Sequence, residues 1–185
     1  MNLSKITRAT VALAPVAVLA SALSLGNAQA QTGGKTLVMS VYLDSLGGDS
    51  LIAGNYDKAI SQIEHRIPSD NLGSLAAATN LCVAYTMTHQ WEQAKSRCDA
   101  AIAGARMSDA DGVFDFGVGR EKRLATAYSN RAVFNWLHNQ KREAVADLSK
   151  ARSRAGRLEF VAQNWQVLNG GPDTATAPQI ASTRP

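Results

Sequence analysis

The chain is poor in cysteine, in net charge and in long apolar runs, and each shortage removes a class of function. It has 185 residues but only two cysteines, Cys82 and Cys98. They are too far apart for a C-x-x-C redox motif, and no His pair sits at zinc-ligand spacing. The formal charge is +4, and setting aside Lys5 and Arg8 leaves +2. That is too little to argue for nucleic acid. The remaining positives alternate with acids except at residues 120–123 and 150–157, which read as solvated helix faces. After the N-terminus no second apolar stretch is long enough to cross a bilayer. His65, His89 and His138 fall at helix ends or turns, and no Ser–His–Asp or Cys–His set forms. Cys82 is a poor candidate nucleophile because it belongs to a close helix–helix contact. No cofactor motif is present.

The N-terminus carries one clear signal. Lys5 and Arg8 precede an uncharged, Ala/Val/Leu-rich stretch over residues 9–25, closed by Ala28-Gln29-Ala30. This is the pattern of a secretory signal peptide cleaved after Ala30. An uncleaved anchor is the competing reading, but Pro15 and Gly26 interrupt the span. Cleavage would leave 155 of the 185 residues, enough for one domain with a core, in the periplasm or secreted, without stable membrane insertion. In such an oxidising compartment an even cysteine count favours a disulfide. Two buried thiols acting as small apolar residues are the alternative.

The mature chain reads as follows. Residues 31–48 form an extended leader, in which the β-branched run Leu37–Leu43 is a strand or an extended segment packed on the core. A helical domain spans 49–168, with hairpins at about 50–67, 74–105 and 120–153 and a cap at 158–168. The tail at 169–185 lacks apolar periodicity and is expected to be disordered. Thr88-His89-Gln90 and His138-Asn139-Gln140 each join two amphipathic helices so closely that the helices must be antiparallel neighbours.

Superposing residues 76–103 on 126–153, at an offset of 50, matches Asn80 with Asn130, Val83 with Val133, Ala94 with Ala144 and Ala101 with Ala151. Small residues recur where helices must approach closely. Leu81, Cys82, Tyr85, Trp91, Ala94, Cys98 and Ala101 in the first copy, with Tyr128, Ala132, Ala144, Leu148 and Ala151 in the second, resemble the tetratricopeptide repeat, a 34-residue helix–turn–helix unit. Arg131 and Asn135 depart from that pattern, where Leu and Tyr are usual. Residues 54–60 look like the turn and second helix of a partial unit whose first helix would run through Gly47-Gly48. The surplus between the full copies lies around residues 107–121. Asp109, Asp111 and Asp115 there lack the Gly and closing Glu of a calcium loop.

The resemblance implies an all-α fold: antiparallel helical hairpins stacked as a short right-handed solenoid with a C-terminal capping helix. It implies that first helices line a concave surface bearing Asn80, Val83, Met87, Asn130, Val133, Trp136 and Leu137, which would contact a protein or peptide partner in the cell envelope. A side-chain amide both donates and accepts, so Asn80 and Asn130 are the strongest candidates for gripping an extended peptide. Bonding only within the helix pair is the alternative. Replacing both with alanine is then expected to weaken partner capture and spare the helices. Cys82 and Cys98 occupy places that face each other in the family. The resulting expectation is a non-catalytic adaptor. A self-associating envelope protein is the second reading, and an enzyme with a site near residues 107–121 is the third. Partner identity and oligomeric state are not encoded in any motif.

Overall fold

A computed structural model describes residues 36–67, 74–107, 119–170 and 178–183. The expected signal peptide over residues 1–30, residues 31–35 and most of the 107–121 insertion lie outside the described residues. The order of elements is β1 (Val38–Tyr42), α1 (Gly48–Ile52), α2 (Tyr56–Arg66), α3 (Leu75–Met87), α4 (Trp91–Met107), α5 (Arg120–Leu137), α6 (Lys141–Ala155), α7 (Glu159–Asn169) and β2 (Gln179–Thr183). The helices pack as the consecutive pairs α1/α2, α3/α4 and α5/α6, with α7 against α6 and α5. Among the described residues no helix is long and apolar enough to cross a membrane.

The hairpin turns share one geometry. Gly54, His89 and Asn139 all have positive φ, at 75°, 57° and 62°. In each turn the following residue donates its N–H five positions back: Asn55 to Ser50, Gln90 to Tyr85 and Gln140 to Asn135. A left-handed residue there suits Gly and Asn and strains His89 only mildly, because the hydrogen bonds around it hold the reversal. Thus α1 is a helix of only five residues, paired with α2. Gly48 explains both its start and its composition. A Cβ at Gly48 would lie 2.3 Å from the Leu43 carbonyl oxygen, so the chain leaving β1 can turn this tightly only through glycine.

Helix α3 is buried from Ala77 to Thr86, and so carries apolar or small residues on nearly every side. The Cys82–Cys98 disulfide joins it to α4, with Cα atoms 4.7 Å apart. Both cysteines are buried. Replacing the pair with alanine is expected to lower the unfolding free energy by about 2–3 kcal/mol, mainly by freeing the unfolded loop. Urea titration of the double variant beside the oxidised parent measures this, and equal midpoints would show the bond to be energetically idle.

Helix α7 ends the stack for a reason visible in its sequence. Asn164 of α7 follows Asn130 of α5 by 34 residues, and at that offset Ala125 and Ala132 of α5 correspond to Glu159 and Gln166 of α7. Both α7 residues are exposed. Polar residues where α5 has alanines deny a further helix a close approach. The inner side of α7 instead packs Val161, Trp165 and Leu168 on the core, and Arg152 of α6 lies 4.5 Å above the Trp165 ring.

The fold differs from an all-α expectation in one respect. Strands β1 and β2 form a two-stranded parallel sheet, in register from Val38 with Gln179 to Tyr42 with Thr183. The tail expected to be disordered therefore contains a strand. Its only large apolar residue is Ile180, too little to produce periodicity, and its partner β1 lies more than 130 residues away in sequence.

Candidate functional site

Strand β1 runs across α7, α5 and α3, and three asparagines hold it by its backbone. Asn164 accepts the Val38 N–H at 2.7 Å and donates to the Val38 carbonyl at 2.7 Å. Asn130 accepts the Ser40 N–H at 2.8 Å and donates to the Ser40 carbonyl at 2.7 Å. Asn80 accepts the Tyr42 N–H at 2.9 Å and donates to the Tyr42 carbonyl at 3.0 Å. One amide per alternate residue reproduces the donor–acceptor row of a neighbouring strand, since residues two apart present their backbone groups on the same edge. All three asparagines are buried, at 0%, 1% and 0% exposure for Asn80, Asn130 and Asn164. Asn80 also donates to Ser45 Oγ and, more weakly, to the Leu46 carbonyl, which fixes the turn after β1. Asn164 donates to Ser129 Oγ, and Gln163 caps the Thr36 carbonyl.

The predicted contact face is thus assembled, but its occupant is the chain itself. Val83 and Val133 are wholly buried in one core cluster with Leu37, Met39 and Val41 of the β1 region. Met87, Trp136 and Leu137 pack partly buried against that cluster. Val83 and Val133 are therefore closed to a partner, while Met87, Trp136 and Leu137 keep part of their surface. The apolar side chains of Leu37, Met39 and Val41 cover this face better than water can, and leave Val83 and Val133 no free surface. Asn164 was missed as a site residue. Its signal is arithmetic: it follows Asn130 by 34 residues, the unit length of the repeat family that the sequence resembles.

The two departures from the repeat pattern, Arg131 and Asn135, also have a structural cause. Arg131 donates from Nε and Nη2 to the two oxygens of Asp147, at 2.7 and 2.8 Å, and from Nη1 to Asp99 at 2.6 Å. Asn135 donates to the same Asp147 at 3.1 Å. Asp147 is buried on α6, so its charge requires this set of donors. The network links α4, α5 and α6 and borders a cavity of about 350 Å³. Burial pushes the Asp99 carboxyl upward, but hydrogen bonds from Arg131 and Lys95 outweigh it and hold the group below its ordinary value of 3.8. Burial likewise works against the Arg131 charge, and the bonds to Asp147 and Asp99 overcome it and raise the guanidinium pKa. A carboxyl depressed in the folded state contributes stability that is complete above its unfolded value and is lost as pH falls through the folded one. Asp99→Asn is therefore expected to flatten the loss of stability below about pH 4, measured as urea midpoints across the acid range. An unchanged acid limb would remove Asp99 from the account.

Burial raises the Tyr42 phenol to about 12, against a smaller opposing influence from Arg123. Burial and a hydrogen bond to Glu64 raise Tyr85 to about 12 as well. Among the described residues no three His, Cys, Asp or Glu side chains gather as a metal site. Compared with known proteins, the chain matches no family model, no curated protein and no solved structure.

Proposed function

We propose that the chain is an exported, non-catalytic adaptor of the tetratricopeptide type, which engages an envelope protein through an extended segment of that partner. In this reading the hairpins form a short right-handed stack and α3, α5 and α7 line its concave side. The observation that carries it is the asparagine ladder. Three matching positions on three first helices are devoted to gripping extended backbone, and apolar packing alone would not need them. With β1 fixed in the groove and β2 paired along its other edge, what the groove offers outward is the β1–β2 pair flanked by α7. The side chains once expected to touch the partner become the floor beneath that strand.

Photo-crosslinking residues introduced in living cells test this. The positions are Asp44, after β1, and Glu159, at the start of α7; both are exposed. Gln93 on α4 and Ser149 on α6 are exposed controls away from the edge. The proposal expects one or a few envelope proteins joined at Asp44 or Glu159 and absent from the controls. Adducts only with the same chain would favour the self-associating reading, and equal labelling at all four positions would defeat both.

A further inference from the structure

Strand β1 has two edges with different fates. The edge formed by Val38, Ser40 and Tyr42 is locked on the asparagines. Backbone groups alternate sides along a strand, so Leu37, Met39 and Val41 direct theirs to the opposite edge. That edge carries β2, where Gln179 donates its N–H to the Leu37 carbonyl at 2.8 Å. The two strands are anchored very differently. Every residue of β1 from Val38 to Val41 is buried. In β2, Gln179 and Ser182 are exposed, and Ile180 reaches the core cluster only partly buried. Nine residues, 170–178, separate the end of α7 from β2. Between β2 and α7 lies an open cavity of about 430 Å³ bordered by Leu158, Phe160 and Ile180. β2 is therefore held by backbone pairing, by Ile180, by the buried Pro178 before it and by contact with α1, and its α7 side borders the open cavity.

We infer that β2 is an internal plug, and that the edge it fills is the docking site for an extended segment of another protein. The incoming segment adds to β1 in parallel, as β2 does. It carries a branched aliphatic residue at the place of Ile180 and a small residue at the place of Ala181. The recognition is β-strand addition: main-chain bonds supply affinity, and the Ile180 position supplies selectivity. A tethered segment acts at an effective concentration of about a millimolar, so β2 suppresses weak competitors and yields to a better-matched strand. This inference rests on the adaptor reading for its biological sense, but its chemistry is independent of it.

The test uses the full mature chain and a fluorescent peptide with the sequence of residues 178–183, Pro-Gln-Ile-Ala-Ser-Thr. Ile180→Asp in the protein should release β2, seen as faster amide exchange at Met39 and Val41 with the circular dichroism spectrum retained. Fluorescence anisotropy should then show the peptide binding this variant about tenfold or more tighter than the parent. A peptide carrying Asp at the Ile position should not bind. Gln179→Pro, which deletes the N–H donated to Leu37, provides a second route to release if Ile180→Asp perturbs the core. If Met39 and Val41 stay protected in both variants, β2 is a fixed part of the fold and the inference fails. Faster exchange without peptide binding overturns it equally, because an open edge would then have no affinity for a strand. Peptide binding without a crosslinked partner in cells would keep the strand exchange and remove the adaptor; a crosslinked partner without peptide binding would do the reverse.

Discussion

Replacing Asn130 with alanine is expected to lower the unfolding free energy by roughly 2–5 kcal/mol. The side chain is buried and serves the N–H and the carbonyl of Ser40, which is itself buried. Alanine withdraws both partners at once, and each buried polar group left unmade costs about 1–3 kcal/mol. Aspartate is no remedy, because it keeps an acceptor, loses the donor and buries a charge. The Asn80 rung sits in a less buried place, so Asn80→Ala should cost less. Urea titrations of the two variants and of a surface control such as Gln93→Ala would establish the order. If Asn130→Ala matched the surface control, the ladder would be an incidental contact. The same geometry revises the expectation that alanine at both positions would affect partner capture alone: these residues hold a core strand, so lost capture would follow from a loosened fold.

Arg131→Met should cost roughly 2–4 kcal/mol, a value reduced from that of a fully buried pair because the Arg131 side chain is 23% exposed. The damage lies in what remains. Asp147 is 3% exposed and would keep only Asn135 and the solvent-facing Lys150 as partners. An isolated buried carboxylate is worse than none, so the double variant Arg131→Met, Asp147→Leu should recover most of the loss. A double-mutant cycle by chemical denaturation measures the coupling. Simple additivity of the two single losses would mean that the network does not act as a unit.

Much of the helical architecture was legible because helical periodicity and turns are local. The short links at Thr88–Gln90 and His138–Gln140 dictated antiparallel pairs, and Ala94, Ala101, Ala144 and Ala151 marked close approaches that all prove buried. The cysteine pair was legible from its even count and from the resemblance, which implies that Cys82 and Cys98 face each other, and the two are bonded. Asn80 and Asn130 were legible as backbone-gripping groups, but Asn164 and their common occupant were not. An extended segment has no periodicity of its own that names the groove it fills, and Val38 meets Asn164 across 126 residues of sequence. β2 was invisible because five residues with one large aliphatic side chain look like any polar tail. Arg131 and Asn135 were legible only as departures. Their meaning required Asp147, which faces them from the next helix.

The ladder also decides how the molecule comes apart. A linear array of helical hairpins in contact only with their neighbours unfolds piecemeal, losing end units first. Here a strand from the start of the folded region is bonded to α7, α5 and α3 in succession, so the last helix cannot fray without releasing the first strand. The array should melt in one transition, with amide protection in α7 close to that in α3. Its folding carries a matching burden. The contacts that complete it span most of the chain, and such distant closures slow folding relative to a simple stack of hairpins. The chain can finish folding only after Asn164 is free to meet Val38, so completion waits for nearly the whole of the described sequence.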